Sequence, residues 1–158
     1  MKTNQSVIEK FYSCFIEKDY VGMIDCYHPD IHFQDEVFDL HGKNAGAMWH
    51  MLCRRGKDLR VSYSGVEASN DKGKAHWEAS YTFAASGRKV HNVIDAAFEF
   101  KDGKIIHHRD SFNFRKWSAM ALGPVGLLLG WSSGLRRKVS RAANKSLEAF
   151  IEKHPEYR

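Results

Sequence analysis

Residues 58–117 alternate between apolar and polar side chains in four segments that short turn signals separate. Successive side chains of a β-strand point to opposite faces, so a period of two predicts strands with one buried face. Turn signals lie at 70–73, at 86–88 and at Asp102-Gly103, a dipeptide typical of hairpins. We therefore predict that this half of the chain forms antiparallel strands joined by hairpins.

The first third of the chain has helical spacing instead. Residues 6–17 predict an amphipathic helix, and Asp19 is placed to cap a short second helix that contains Tyr27 and that Pro29 ends. A third helix is predicted over 44–55. Helices followed by a run of hairpin-linked strands predict an α+β fold.

Each predicted strand places one row of residues inside. A first short strand is predicted at 31–35, and the last strand, which follows Asp102-Gly103, puts His108 and Asp110 in an otherwise apolar row. The inward rows are Ile31, Phe33 and Asp35; Ala75, Trp77, Ala79, Tyr81 and Phe83; Val90, Asn92, Ile94, Ala96, Phe98 and Phe100; Ile106, His108, Asp110, Phe112 and Phe114; Tyr63 is expected to join them. The opposite parity, facing solvent or a dimer interface, contains His91, Asp95, Glu99, His107 and Arg109.

The tail differs from the rest of the chain. Residues 119–131 are apolar but too few to span a bilayer, and glycine and proline interrupt them, which predicts a broken helix. A final amphipathic helix follows and ends near Pro155. We expect this segment to cover a cavity mouth or a dimer interface, with a membrane-surface anchor as the alternative. Its basic cluster, interpreted as a solvated helix face, is Arg136, Arg137, Lys138, Arg141 and Lys145.

Composition sets broad limits. With 158 residues and 43% hydrophobic residues, the chain is expected to form one folded unit with a substantial core. Cys14, Cys26 and Cys53 show no CxxC spacing, and the first residues lack a signal-peptide apolar segment, so we predict a cytoplasmic protein with reduced thiols. The net charge of +5 comes without a nucleic-acid motif, so we predict no nucleic-acid partner.

His108 and Asp110 are the leading candidates for chemistry. Burying an unpartnered polar group costs about 2–7 kcal/mol, so an inward His-Asp pair indicates either a structural network or a working site. A carboxylate in an apolar cavity is suited to general acid or base work, with the histidine sharing or orienting its proton. The alternative is a hydrogen-bonded pair that only stabilises the wall.

Other polar residues extend the candidate site. Asp35 could serve as a second carboxylate or merely cap the following turn, and Asn92 could orient substrate or partner His108. The candidate substrate-binding residues are aromatic: Tyr12, Trp49, Tyr63, Trp77 and Tyr81. Aromatic residues on a sheet face also serve as ordinary core, and that alternative stays open.

The ordered set of motifs resembles the nuclear transport factor 2-like superfamily, which includes ketosteroid isomerases, SnoaL-like polyketide cyclases and limonene epoxide hydrolases. The motifs that carry the resemblance are YHPDIHFQD at 27–35, GKNAGAMW at 42–49, GRKVHN at 87–92, FEFKDGKI at 98–105 and HRDSF at 108–112. The resemblance covers residues 1–117, taken as the domain, and leaves 118–158 as a helical extension packed on it.

The resemblance implies a conical, barrel-like fold with helices packed in a strongly curved antiparallel sheet around a deep pocket. It also implies a homodimer formed through the outer sheet face. Arg109 and Asp110 are neighbours on opposite faces, so the Asp-Arg-Asp arrangement of limonene epoxide hydrolases is not reproduced locally. Tyr12 could take the place of the tyrosine in ketosteroid isomerases, and the polyketide-cyclase type suits His108 and Asp110 best.

The resulting prediction is a cofactor-independent enzyme that moves protons on a hydrophobic carbonyl-bearing or polycyclic substrate, with Asp110, His108, Asp35 and Asn92 as catalytic candidates. We predict no metal site and no nucleotide cofactor, because HExxH, P-loop and dinucleotide motifs do not occur. The alternatives are a non-catalytic ligand-binding or scaffold protein and an epoxide hydrolase-like enzyme. We do not expect membrane contact.

Overall fold

The structure is a computed structural model that describes residues 3–158, so Met1 and Lys2 of the predicted 1–117 domain lie outside the described residues. Helix α1 spans Asn4–Ile16 and begins with a capping box, in which the Thr3 and Ser6 side chains each accept the other's backbone N–H. Helix α2 spans Tyr20–Asp25 and is capped by Asp19, as predicted.

Strand β1 begins earlier than the sequence pattern suggested. It spans Tyr27–Gln34, and β2 spans Asp39–His41. The prediction that Tyr27 belongs to helix α2 and that Pro29 ends that helix is therefore wrong, because the helix ends at Asp25 and Pro29 lies within β1. Helix α3 follows at Lys43–Arg55.

Four further strands complete one open, mixed sheet. They are β3 (Arg60–Ala68), β4 (Lys72–Phe83), β5 (Arg88–Lys101) and β6 (Lys104–Ser111), and the strand order is β2-β1-β6-β5-β4-β3. Strands β1 and β6 pair in parallel, whereas the other neighbours pair antiparallel. The α+β class is confirmed.

The predicted alternation of faces holds along most of the sheet. On β5, inward residues from Val90 to Phe98 are buried, while the residues between them are exposed. Ile106 is the exception: Ile105 is fully buried and Ile106 only half-buried, because the β5–β6 register shifts between Glu99 and Phe100. The inward parity of Ile106 was therefore predicted wrongly, while that of His108 and Asp110 holds.

Three tail helices close the structure. Helices α4 (Phe114–Leu122) and α5 (Pro124–Leu129) are separated by Gly123, whose φ of 68° suits glycine and breaks the helix as expected. Helix α6 spans Ser133–Glu152 and is followed by a short 3-10 helix, Pro155–Tyr157. Phe114, predicted as the end of the inward row of β6, is instead the first residue of α4.

The core lies between the inner sheet face and helices α1 and α3. Large rings from both helices fill it, including Phe11, Phe15 and Trp49, which are each at most 2% exposed. A second cluster joins α4 to β5 through Phe114, Trp117, Ala121 and Val90. The tail therefore packs on the same sheet as the N-terminal helices.

Candidate active site

A chain of buried hydrogen bonds crosses the core and ends on Asp110. The indole N–H of Trp49 donates to the Tyr27 hydroxyl over 2.8 Å, and that hydroxyl lies 2.8 Å from Nδ1 of His108. Nε2 of His108 lies 2.9 Å from Oδ1 of Asp110. The indole N–H of Trp77 donates to the same Oδ1 over 3.3 Å. Five side chains thus form one connected network.

The direction of this chain follows from its first member. An indole nitrogen can only donate, so the Tyr27 oxygen accepts from Trp49 and has its own proton left to give. Burial raises the pKa of Tyr27 well above its usual value, so the hydroxyl keeps its proton and is able to donate it to His108 Nδ1. Nδ1 then accepts, and Nε2–H donates to Asp110. In this arrangement Nε2 carries the His108 proton, whereas an imidazole with protons on both nitrogens would donate to both Tyr27 and Asp110.

Strand pairing brings these groups together. His108 and Asp110 lie two residues apart on β6 and therefore share its inner face. The parallel neighbour β1 sets Phe33 opposite His108, and an irregularity between Tyr27 and His32 separates Tyr27 from the regular part of the ladder. Trp49 comes from α3, which packs against β1. Strands β1, β4 and β6 and helix α3 therefore position the five side chains, and the part formed by Tyr27, His108 and Asp110 is called the relay below.

Aromatic rings surround His108 on several sides. Its ring centroid lies 4.5 Å from that of Phe98, 5.0 Å from Phe33 and 5.5 Å from Phe11. The His108 side chain has no exposed surface, and Asp110 keeps 3%. The surroundings are therefore apolar, and the polar groups are satisfied mainly by one another.

Asp110 has one oxygen to spare. Both hydrogen bonds to the carboxylate end on Oδ1, and within residues 3–158 no donor reaches Oδ2. A carboxylate oxygen has two lone pairs, so Oδ2 can accept a proton from a bound molecule without breaking the network. The hydrogen bond between His108 and Oδ1 of Asp110 would remain in place during that transfer.

Tyr12 places an unsatisfied hydroxyl in the same interior. Its side chain is fully buried, stacks on Tyr63 with ring centroids 5.3 Å apart, and its hydroxyl has no hydrogen-bond partner in the described chain. Burial, with the charge of Asp110 second, raises the pKa of Tyr12 well above its usual range. The Tyr12 hydroxyl is therefore a protonated hydrogen-bond donor that feels the charge of Asp110 and has no acceptor among the described residues.

Asp35 is half-buried and titrates in the physiological range. Desolvation raises its pKa to about 7, against the lowering effect of backbone N–H donors from Phe38 and Val37, and the charge of Asp110 adds to the rise. Its Oδ1 accepts those N–H groups over 2.6 and 2.7 Å, so Asp35 does cap the turn after β1. Asp35 also interacts electrostatically with the buried carboxylate of Asp110.

The other predicted residues lie in several environments. Asn92 is buried on β5, and among the described hydrogen bonds His108 pairs with Tyr27 and Asp110 rather than with Asn92, so the proposed Asn92–His108 bond is wrong. The Tyr63 hydroxyl lies 3.3 Å from Ser13 Oγ, and Tyr81 accepts from Trp117 over 2.8 Å.

Tyr81 also faces a cleft at the end of the sheet. This cleft has a volume of about 530 Å³, and its lining includes Tyr81, Val90 and Met120 but neither His108 nor Asp110. Trp117, on α4, holds the Tyr81 hydroxyl at this position. The tail therefore covers the sheet end that is nearest to the predicted aromatic lining.

Sequence reasoning missed the role of Tyr27. It was assigned to a helix, because Pro29 was interpreted as the stop signal for α2. The inward position of Tyr27 follows an irregularity in β1 between Tyr27 and His32, and Pro29, which a strict period of two would also place inward, is exposed. Trp49 and Trp77 were expected to line a substrate site, and in the structure their indole N–H groups serve the buried network.

One group of side chains in residues 3–158 has the spacing of metal ligands. His32, Asp39 and His41 bring ligand atoms within 4.8 Å of one another on β1 and β2. His32 Nε2 already lies 2.6 Å from Asp39 Oδ1, and this contact lowers the pKa of Asp39. Asp39 and His41 are exposed, and His32 alternates with inward Phe33, so the group is separate from the buried relay.

A family model matches the part of the chain that forms helices α1 to α3 and most of the sheet. The model of the SnoaL-like domain matches residues 8–108, which is more than half of the chain. The chain belongs to the SnoaL-like domain family. The match includes Tyr12, Tyr27, Asp35 and His108, and it ends two residues before Asp110. Helices α4 to α6 lie beyond the matched region.

Solved structures share this SnoaL-like fold at low sequence identity. An LEH-like epoxide hydrolase from M. tuberculosis is 17% identical, with 80% of this chain and 95% of that chain covered and a TM-score of 0.63. A candidate polyketide cyclase from Xanthomonas campestris pv. campestris is also 17% identical, covering 74% and 95%, with a TM-score of 0.62.

A third structure extends the same result. A nuclear transport factor 2-like protein from Burkholderia thailandensis is 13% identical, covers 71% of this chain and 92% of that chain, and has a TM-score of 0.63. At these identities the likeness shows the fold alone. No curated protein matches this chain significantly.

Proposed function

We propose that this SnoaL-like protein is a cofactor-independent enzyme that transfers protons on a hydrophobic, carbonyl-bearing substrate. The observation that carries the proposal is the buried relay of Tyr27, His108 and Asp110, in which no donor from residues 3–158 reaches Oδ2 of Asp110. A one-way chain of donors that ends on a carboxylate is suited to a general base. The family assignment supports a small hydrophobic ligand.

The proposed chemistry is removal of a proton next to a carbonyl group. Oδ2 of Asp110 takes the proton, the C–H electron pair forms the enolate, and the negative charge appears on the carbonyl oxygen. The Tyr12 hydroxyl, which has no partner in the described chain, donates a hydrogen bond to that oxygen. Return of the proton to another carbon gives an isomer, while attack of the enolate on a second carbonyl gives a ring.

Asp35 supplies the second carboxyl group of the proposal. With a pKa of about 7 it is present in both forms at neutral pH, so it can give a proton to an alkoxide or take one from water. Two carboxyl groups in different environments are a recurring basis for dividing acid and base roles. Asn92, buried at 8% exposure on the inward row of β5, is proposed to orient the substrate.

The experiment compares Asp110→Asn with Asp95→Asn. Cyclic ketones and lactones are incubated in D₂O, and exchange of their α-protons is followed by NMR. Asp110→Asn should lower catalysed exchange by about 10²–10⁴-fold, because the base is lost while the side-chain shape is kept. Asp95, an exposed carboxylate of the adjacent strand, serves as the control and should leave the rate unchanged. Equal exchange by the two variants contradicts the proposal.

A second candidate function is non-catalytic binding or scaffolding. It is favoured by the burial of the pair, since His108 has no exposed surface and Asp110 keeps 3%. In that case Asp110→Asn would reduce stability without removing any turnover. An epoxide hydrolase-like activity is less well supported, because Arg109 is exposed on the opposite face from Asp110. Epoxides are therefore included in the substrate panel as a negative comparison.

We also propose a homodimer formed through the outer sheet face. That face carries adjoining histidines and carboxylates, including His76 and His91, whose Nε2 atoms lie 2.9 and 2.7 Å from the two oxygens of Glu78. Analytical ultracentrifugation should give twice the monomer mass, and Glu78→Arg should lower it. An unchanged monomer mass for both proteins rejects the dimer.

We also propose that the protein is located in the cytoplasm. The chain has three cysteines without CxxC spacing, and a reducing compartment would keep such side chains as thiols. Fractionation of cells that express the full chain tests this, and recovery from an oxidising compartment would contradict it.

A further inference from the structure

The short helix α5 has an inverted arrangement of apolar and small residues. Gly126 and Gly130 face the protein, while the large apolar side chains between and around them face solvent. The exposed fractions are Val125 56%, Leu127 54%, Leu128 70%, Leu129 47% and Trp131 74%, and these five residues are called the apolar tip below. A surface helix normally buries such residues, so a contiguous exposed group of this size indicates an interaction site.

Close backbone packing fixes the apolar tip in this orientation. A Cβ atom on Gly126 would lie 1.8 Å from the Ser118 carbonyl oxygen, and one on Gly130 would lie 2.3 Å from Ser118 Oγ. Ser118 Oγ also donates to the Gly126 carbonyl oxygen over 3.2 Å. Helix α5 can approach α4 this closely only through its glycines, so its leucines must point outward.

Basic residues predominate in the sequence on both sides of the apolar tip. Between Asp110 and Glu148 the sequence contains no carboxylate. The same stretch contains seven basic residues: Arg115, Lys116, Arg136, Arg137, Lys138, Arg141 and Lys145. Arg136 pairs with Glu36 over 2.9 Å, while Arg137, Lys138 and Arg141 are exposed on α6.

These basic residues are close to the apolar tip. The Cα atom of Arg115 lies 3.0 Å from the position that a Cβ on Gly130 would occupy. Helix α6 starts two residues after Trp131, and Arg137 is its fifth residue, about 6 Å along the axis from its start. Exposed leucines, an exposed tryptophan and cations therefore share one end of the molecule.

We propose that this end of the protein docks on the surface of an anionic lipid bilayer. Leucine and tryptophan side chains enter the boundary between headgroups and acyl chains, and neighbouring lysines and arginines contact the acidic headgroups. The occupant is a membrane surface rather than a second copy of the chain, because two copies would bring two basic clusters together without carboxylates between them. This inference goes beyond the proposed function and revises the expectation of no membrane contact.

The mode of contact is limited to the surface. Among residues 3–158, no helix is long and apolar enough to cross a membrane. Helix α5 has six residues, so it can reach only the outer part of one leaflet.

Trp131 provides a direct readout. Trp49, Trp77 and Trp117 are each at most 7% exposed, whereas Trp131 is 74% exposed, so tryptophan emission that acrylamide quenches comes mainly from Trp131. The full chain is mixed with vesicles of phosphatidylcholine, with or without phosphatidylglycerol. On vesicles containing phosphatidylglycerol we expect a blue shift of this emission, loss of acrylamide quenching and co-sedimentation, all weakened by high salt.

Variants separate the two contributions. Leu127→Ser with Leu128→Ser should weaken co-sedimentation at least about 10-fold, because two apolar side chains no longer enter the bilayer. Arg137→Gln with Lys138→Gln should weaken it about 10- to 30-fold on acidic vesicles only. Val21→Ser, a change of an apolar residue of α2 that is 63% exposed and lies outside the apolar tip and the outer sheet face, is the matched control and should leave binding unchanged.

Several outcomes would overturn the proposal. Absence of a Trp131 shift with both vesicle types rejects membrane docking. A shift that appears without vesicles as protein concentration rises shows that the apolar tip meets a second copy. Binding that is equal on neutral and acidic vesicles, or that persists after the leucine changes, rejects the combined apolar and electrostatic contact.

Discussion

The inner face of the sheet and the apolar tip depart in opposite ways from the usual placement of polar side chains outside and apolar side chains inside. Inside, a histidine and a carboxylate are buried among aromatic rings, while at the tip three leucines, a valine and a tryptophan are exposed. Buried polar groups and exposed apolar groups are the informative exceptions to the usual partition. Hydrogen bonds largely compensate the buried polar groups of the interior. No described residue covers the exposed apolar side chains of the tip.

This difference suggests different origins for the two departures. The relay is stabilised within the monomer, because Tyr27, His108 and Asp110 satisfy one another. The apolar tip is held in place by glycine packing, but the monomer leaves its large side chains exposed to solvent. The first region should therefore respond to substitution with a change in stability, and the second with a change in binding.

Among changes to hydrogen-bonding side chains, Tyr27→Phe should give the largest change in stability. It removes one hydroxyl and leaves both the Trp49 indole N–H and His108 Nδ1 buried without a partner, which should lower the free energy of unfolding by about 2–4 kcal/mol. Tyr63→Phe is the matched control, because the half-buried Tyr63 hydroxyl has a single 3.3 Å contact with Ser13. Urea unfolding measures both, and equal losses would show that the relay has no special stability.

Asp35→Asn should change the pH dependence of stability. The pKa of Asp35 is about 7 in the folded protein and ordinarily near 3.9, so between about pH 4 and 7 the folded state binds more protons than the unfolded state. The free energy of unfolding contributed by Asp35 therefore falls as pH rises through this window.

The variant lacks this fall. At pH 8 Asp35→Asn should be more stable than the parent by about 1–2 kcal/mol, less than the full shift would give, because solvent screens a half-buried group. Near pH 3.5 the two proteins should agree. Urea unfolding from pH 3.5 to 8 checks this, with Asp30→Asn as an exposed control. A parallel pair of curves for Asp35→Asn and its parent contradicts the raised pKa.

Leu128→Ala should have the smallest effect. Its side chain is 70% exposed, so the free energy of unfolding should change by no more than about 0.5 kcal/mol. Leu147→Ala, which removes the same side chain from the buried face of α6, should cost about 2–5 kcal/mol. Thermal and urea unfolding at several protein concentrations compare them. A loss above about 1 kcal/mol for Leu128→Ala would show that the apolar tip is covered in solution.

The sequence pattern predicted the faces of the strands better than their ends. The rows from Ala75 to Ala79 and from Val90 to Phe98 were assigned correctly, because side-chain alternation is a local property of the strand. The inward face predicted for Ile106 was wrong, since a bulge against β5 changes parity without any sequence signal. The helix predicted for Tyr27 was wrong because a proline was taken to end that helix. The break in the tail helix was predicted, since Gly123-Pro124 is a local signal.

The sequence by itself determined the α+β class, the inward placement of His108 and Asp110, and the apolar and basic character of the tail, because each depends on spacing or composition along the chain. Only the tertiary structure decided that Tyr27 and Trp49 complete the network, that the buried Tyr12 hydroxyl has no hydrogen-bond partner among the described residues, and that the leucines of α5 face outward. Those features depend on strand register and on how closely two helices approach. Contacts between distant segments set both, and no local pattern encodes them.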